Sequence, residues 1–574
     1  MTAARPRRAH GGSSRSMAHR TGWPWTASVP GQRPFRSGFR PILGERGMVS
    51  APHPLAVQAG LDVLRSGGNA VDAAVATSAA LMVVVPMQCS PGGDAFWLIA
   101  PPDAPPQALN ASGVIPESAN ADELRALGHS TVPTRSAWAV TVPGAIAGWA
   151  TALERFGTRS LDEVLLPAIT IAEQGFIIGR HLRASIVAAE PLLRASQDGV
   201  EWYLRSGIPA LYDKFVQPLL ANTLRQLGRS GGKSLYNGQL AEAIAHAVIS
   251  RGGWLSESDL ARCEPRWVSP LSVQWRGLEI LQPPPNTQGT VLLAALRTVD
   301  GRDSGPLKLD ASPAHHLMIE ALRAARADCE SHVMDPAYSR LKPDALLDES
   351  YLRLRAAMIS PTAAQPTWTS AIDESAMPGP VSRERDGDTA HLAVVDDDGM
   401  AVSLTQSLFD DFGSGVPVAG HGFFLQNRAS SCSLQPGAPN ELQGGRRPPH
   451  TLVPGLALDG GQVRFVLGAM GGTGQPQTQF QLLVHMVDAG LDPAEAIAAP
   501  RWYSDVTTRE QSRVYVESRL SRRIVDELKA RGHDIVRLGP WEEIMGHAQV
   551  IEVNSGGVLV GGADPRSDGA VAAW

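Results

Sequence analysis

From Pro54 the stretch LAVQAGLDVLRSGGN repeats apolar residues at helical spacing and stops at Gly67-Gly68-Asn69, so the pattern predicts an amphipathic helix with a glycine stop. Residues 70–86, AVDAAVATSAALMVVVP, are apolar almost all round, contain Asp72 and end at Pro86. A membrane span needs about 20 apolar residues, so this segment reads as a buried helix. After Pro91-Gly92-Gly93, AFWLIA reads as a short strand. Helical spacing dominates 141–260, in VPGAIAGWATALERFG, in VLLPAITIAEQG behind a capping box at Ser160-Leu161-Asp162-Glu163, and in QLAEAIAHAVISRGG. Another long helix is predicted at 314–332. Residues 355–388 then turn polar and irregular, which predicts a long exposed connection.

Beyond that connection the period changes from helical to alternating. AHLAVV, MAVSLTQS, GHGFFLQN, TLVPGLAL and VRFVLGAM read as strands with glycine turns, followed by a helix at QTQFQLLVHMVDAG. Strands are also predicted near residue 96 and at 270–282. A helix-rich first part and a strand-rich second part favour an α/β or α+β sandwich whose sheets draw on distant parts of the chain. No repeat of fixed period is present.

Length alone, 574 residues at about 150 per domain, suggests three or four domains. The net charge of −6 gives no global basic surface, which argues against nucleic acid as main partner and for a small ligand. The four cysteines, Cys89, Cys263, Cys329 and Cys432, have neither disulfide-framework nor metal-ligand spacing. Reduced thiols, a cytoplasmic location, and no metal or cofactor are the resulting expectations. Residues 1–46 carry nine arginines and one acid, Glu45, and read as a disordered or loosely ordered leader. The leader has the Arg- and Ser-rich look of a transit sequence but no apolar core of secretory length, and Met17 and Met48 are alternative starts.

Several motifs fail on context. Gly228-Arg229-Ser230-Gly231-Gly232 fits G-x-S-x-G, but a helical pattern precedes it where a nucleophile elbow needs a strand, so a loop is expected. His315 and His316 point about 100° apart on their helix and are expected to pack rather than share a metal. Asp396-Asp397-Asp398-Gly399 lacks EF-hand spacing and reads as a hairpin turn. Gly471-Gly472-Thr473-Gly474 has no lysine after it and is no Walker loop; by itself it only ends the strand VRFVLGAM.

One position needs more explanation. In DGDTAHLAVVDDDGMAVSLTQS, Thr389 opens the first strand of a hairpin directly after Asp388. The strings GMVSAPHPLAVQAGLDVLRSGGNAVDAAVATSAAL, PGGDAFWL, TVPGAIAGW, SLYNGQLAEAI, DTAHLAVVDDDGMAVSLTQSLFDDFGSGV and DPRSDGA, in this order, resemble the γ-glutamyltranspeptidase superfamily of N-terminal-nucleophile hydrolases. The resemblance runs from about residue 47 to the end. It implies an α+β fold, one four-layer α-β-β-α sandwich, in place of several domains. It also implies a precursor that cuts itself at Asp388-Thr389 into a large segment, 47–388 behind the leader, and a small segment, 389–574. The fragments would stay together as a heterodimer, with further dimerisation left open.

The chemistry suits a threonine at a new chain end. A threonine hydroxyl is a poor nucleophile at neutral pH, but a free α-amine with a pKa of about 7.7 to 8.0 is neutral in roughly a tenth of molecules at pH 7 and can take its proton. By the same resemblance Ser407 holds the place of a second threonine that orients the nucleophile, and Gly471 and Gly472 match the pair whose N–H groups form the oxyanion hole.

The glutamyl-binding positions depart from the family. Its carboxylate-binding arginine falls at Ser112, an asparagine at Phe409, an acid at Ser431 and a glutamine at Arg428, while a serine pair becomes His450-Thr451. Losing the acid and gaining Arg428 removes the partner of an ammonium and adds one for a carboxylate. Arg428 and His450 are therefore expected to hold a small anionic amide, with Phe409 narrowing the pocket. This resembles the oxamate amidohydrolase and acylase branch of the superfamily. Arg428 and Arg447 as structural ion-pair partners remain open at this point. Two other functions stand beside this reading: a γ-glutamyl hydrolase or transferase with a rebuilt pocket, and an uncleaved scaffold without catalysis. No membrane partner is expected.

Overall fold

The chain folds around strands that are apolar on both faces, and the computed structural model describes residues 39–302, 305–339, 341–372, 388–505 and 513–574. In the hairpin of Asp388–Val395 and Ala401–Phe409, alternation sends Leu392, Val394, Val402 and Leu404 into one core and Ala393, Val395 and Ala401 into another. The first core lies under helices, the second between two sheets.

Each sheet has seven strands, all paired antiparallel. The first runs in space Ala570–Ala573, Met48–Ala51, Asp388–Val395, Ala401–Phe409, Asp94–Ala100, Gln107–Ala111, Arg266–Val268. The second runs Ile42–Gly44, Leu559–Ala563, Ala548–Val553, Gln462–Ala469, Gly455–Asp459, Leu278–Gln282, Leu271–Trp275. Helices Pro54–Arg65, Ala70–Val84 and Ala145–Phe156 cover the outside of the first sheet. Helices Gly289–Asp300, Gln475–Val487 and Pro493–Ala498 cover the second. This is the four-layer α-β-β-α sandwich, with Leu98, Leu281, Leu456, Val466 and Ile551 filling the space between sheets.

Ala70–Val84 is buried along its whole length, and no helix among the described residues is long and apolar enough to cross a membrane. Asn69 and Asp72 form a capping box at its start, and Asp396 of the hairpin turn accepts a further bond from Ala70 N at 2.8 Å. The Asp-Asp-Gly turn thus closes its hairpin and also caps a helix in the next layer. His315 and His316 are packed as expected: the first bonds the Leu309 carbonyl, the second His533 and the Ser360 carbonyl.

Four expectations change. The ordered body begins before residue 47, because Ile42–Gly44 pairs with 559–561 and Arg46 stacks on Trp574; residues 1–38 of the expected leader lie outside the described residues. GHGFFLQN yields only the two-residue strand Phe423–Phe424, since Gly420 and Gly422 at φ +78° and +76° bend the approach to it. Gly228 and Arg229 end the helix Pro218–Arg229, with only the following residues in a loop. Of the connection expected at 355–388, residues 355–358 close a helix, 359–372 are irregular, and 373–387 lie outside the described residues.

The sandwich also buries neutral histidines. Burial is the leading cause that pushes His391, His450 and His485 down to about 3, 4 and 3. The unfolded rings titrate near 6.5, so below that pH the unfolded chain binds more protons than the folded one. The stabilisation is complete above about pH 6.5 and declines as pH falls toward 4, by about 2 kcal/mol per ring at pH 5. Thermal melts should therefore shift down by several degrees between pH 7 and pH 5. An unchanged midpoint would show that these rings accept protons in place.

Candidate active site around Thr389

Thr389 sits opposite a bulge in the partner strand. Asp388 pairs with Phe409 but Ala390 pairs with Gln406, so the partner strand spends two residues, Ser407 and Leu408, opposite Thr389. Such a bulge re-aims a side chain at a strand end. Thr389 is fully buried, and Gln475 Nε2 donates toward its Oγ1 at 3.5 Å. Gln475 is the first residue of the helix Gln475–Val487, so the positive end of that helix faces the threonine.

The glycine pair leads into the same helix. Gly471 and Gly472 have φ of +127° and +52°, a backbone region that excludes most side chains, and a Cβ on Gly471 would press within 3.3 Å of Gly546 Cα. Gln288 Nε2 holds the Gly472 carbonyl at 2.9 Å and the Thr451 carbonyl at 3.0 Å. The pair is thereby fixed one turn from the residue that touches Thr389.

Ser407 is buried, pairs with Asp94 on its far side, and accepts a 2.7 Å bond from Phe409 N. That bond supports an unusual residue, since Phe409 has φ +81°, costly for a bulky side chain. The strained turn lays the Phe409 ring under Arg428, whose guanidinium carbon stands 4.1 Å above the ring centre. Asn427 N donates to the Leu408 carbonyl, which brings the segment carrying Arg428 alongside the hairpin.

Arg428 is wholly buried. Its Nη1 reaches Thr451 Oγ1 at 3.4 Å, while Nε and Nη2 have no hydrogen-bond partner among the described residues. Burial lowers its pKa to about 10, opposed by Asp94 and Asp410, so it is still charged at neutral pH. Ser431 Oγ donates to the Arg428 and Pro449 carbonyls and positions this turn.

His450, expected beside Arg428, is a neutral ring in this site. Its Nε2 lies 2.9 Å from Asp94 Oδ2, yet burial and then Arg428 outweigh the aspartate and hold the ring neutral. With Nε2–H donating, Nδ1 is an acceptor, and it has no partner among the described residues. Asp94 Oδ1 accepts from Gly113 N and Gly144 N, both at 3.0 Å.

Ser112 is committed elsewhere: its hydroxyl donates to Asn110 and accepts from Asn286, and Arg447 bonds its carbonyl. Arg447 also bonds the Glu264 carbonyl, so it is a structural arginine. Asp94, Gln288 and Gln475 escaped the sequence reading. Asp94 stands in the quoted PGGD string, but nothing in that string says that it holds a histidine 356 residues away.

Residues 56–574 match the sequence profile of the gamma-glutamyltranspeptidase family. The oxamate amidohydrolase proenzyme of Klebsiella pneumoniae is 36% identical over 551 residues, covering 93% of this chain and 99% of that one. The glutathione hydrolase-like YwrD proenzyme of Bacillus subtilis is 35% identical over 537 residues, covering 92% and 98%. The crystal structure of cephalosporin acylase from Bacillus halodurans superposes with a TM-score of 0.86 at 35% identity over 95% of this chain and 99% of that one. The chain therefore belongs to the γ-glutamyltranspeptidase family of N-terminal-nucleophile hydrolases, and it is an enzyme of that amide-hydrolase type.

Proposed function

We propose that the chain is a self-processing threonine amidohydrolase acting on a small amide that carries a carboxylate, with oxamate as the type. The observation that carries the reading is the Nε–Nη2 edge of Arg428, buried and without a partner among the described residues. A buried guanidinium costs several kcal/mol unless an anion pairs with it, and this edge presents two parallel N–H groups to one carboxylate. The relatives named proenzymes support the processing step.

In that step Thr389 Oγ1 attacks the Asp388 carbonyl, the C–N bond breaks and the Thr389 amine leaves with a proton, and water hydrolyses the resulting ester to give the Asp388 carboxylate and the free Thr389 hydroxyl. In turnover the neutral amine takes the hydroxyl proton as Oγ1 attacks the substrate amide. The N–H groups of Gly471 and Gly472 receive the oxyanion, and the proton passes to the departing ammonia. Water, deprotonated by the same amine, then hydrolyses the acyl ester.

Release of ammonia from oxamate, compared with hydrolysis of a γ-glutamyl anilide, tests the substrate class. Turnover of the anilide alone would support the second reading, a γ-glutamyl hydrolase or transferase. That reading has one observation behind it, the Asp410 carboxylate near Arg428, which with the guanidinium would suit an amino acid's two charges.

Ser407→Ala should lower kcat by about 10- to 100-fold, the worth of one hydrogen bond in the transition state, while leaving the nucleophile in place. Loss as complete as for removal of Thr389 would place Ser407 within the chemistry itself.

A further inference from the structure

Three side chains that the proposed reaction does not use converge behind the glycine pair. His181 lies in the first turn of the helix Arg180–Ala188, Glu543 opens the short turn Glu543–Met545, and His547 immediately precedes the strand Ala548–Val553. One ligating atom from each lies within 4.8 Å of the other two. His181 Nδ1 is 3.1 Å and His547 Nε2 3.7 Å from the same oxygen, Glu543 Oε1. Nitrogen and oxygen ligands about 2.0 to 2.2 Å from a tetrahedral ion stand roughly 3.4 Å apart, so only small side-chain rotations separate this triangle from a ligand set.

We propose that His181, Glu543 and His547 bind a divalent transition metal of the zinc type, with water completing the tetrahedron on the exposed side of Glu543. Two imidazoles and one carboxylate are the donor set of an open zinc site, and the same set accepts cobalt. Glu543 has 56% of its side chain exposed, which gives the ion a way in.

His547 supplies an independent reason. It is buried, and neither ring nitrogen has a hydrogen-bond partner among the described residues. An unsatisfied buried donor or acceptor costs about 1–3 kcal/mol, and ligation through Nε2 satisfies one of the two ring nitrogens. The backbone is built to aim this ring. Glu543 and His547 are four apart, but no helix joins them, because Gly546 turns the chain at φ +76°. A Cβ on Gly546 would stand 2.5 Å from the Met470 carbonyl, so only glycine allows the turn.

An outer shell is also in place. Gln88 Nε2 is 3.0 Å from His181 Nε2, while Gln88 Oε1 is buried without a partner among the described residues. Reversing the amide lets His181 Nε2–H donate to Oε1, which leaves the Nδ1 lone pair for the metal. The backbone of this cluster then reaches the active site on both sides: the Gln88 carbonyl accepts from Leu408 N and the His547 carbonyl from Met470 N, each at 2.9 Å. A bound ion would tie the supports of the Ser407 strand and of Gly471 together.

The test uses the full chain, stripped with a chelator and titrated with Co²⁺. The expected result is one ion per chain with intense visible d–d absorption, displaced by Zn²⁺, and a higher melting midpoint with Zn²⁺ bound. Glu543→Gln, at a half-exposed position with little risk to folding, should weaken Co²⁺ binding more than the roughly 10- to 100-fold that outer-shell partners contribute. Gln88→Leu should fall within that outer-shell range. No absorption in the parent chain, or Glu543→Gln binding Co²⁺ as tightly as the parent, would overturn the site.

Discussion

Thr389→Ala is expected to leave the purified protein as a single band at its full 60.9 kDa, where the parent chain should yield fragments of 388 and 186 (574 − 388) residues on a denaturing gel. Turnover should fall by at least about 10³-fold at the same time, since the substitution removes nucleophile, terminal amine and cut site together. The geometry explains why one residue carries so much. The bulge at Ser407 and Leu408, opposite Thr389, leaves the hydroxyl facing the N-terminal end of the helix behind Gly471 and Gly472. Thr389→Ser keeps the hydroxyl and should still cut, more slowly, because the lost methyl loosens the rotamer. Processing of Thr389→Ala at the normal rate would move the nucleophile elsewhere in the chain.

Much of this was legible in the sequence because it is encoded locally. Alternation fixed the hairpin strands, the Ser160 capping box fixed a helix start, and the Asp-Asp-Gly turn announced itself. The ordered strings around Thr389 pointed to the family, and with it to the four-layer architecture that chain length alone misjudged. What stayed hidden are relations between distant segments. Asp94 meets His450 across 356 positions, and Ser112 disappears into a network with Asn110, Asn286 and Arg447. The charge of His450 was hidden too, since only its burial beside Arg428 shows that the ring is neutral. The His181, Glu543 and His547 cluster has no readable spacing, since its one close pair, four residues apart, meets through a glycine bend and not along a helix.

Arg428→Met should lower kcat/KM for oxamate by about 10²- to 10³-fold, mostly through KM, while the value for oxamide changes little. Two charge-assisted bonds of about 1.5 to 3 kcal/mol each account for that loss, and a neutral carboxamide never made them. Stability supplies the second half of the argument. Without ligand, the guanidinium is buried on Phe409 with two nitrogens unpartnered among the described residues, and methionine fills a similar volume without that penalty. Asp94 keeps its bonds from Gly113, Gly144 and His450, so removing the cation does not strand it. The ligand-free variant should therefore melt at or above the parent temperature, and oxamate should raise the midpoint of the parent alone. A group kept for folding would show the reverse, with a lower midpoint and equal losses on both substrates. On the proposed reading, a bound carboxylate repays the part of the burial cost of Arg428 that Asp94 and Asp410 leave uncovered.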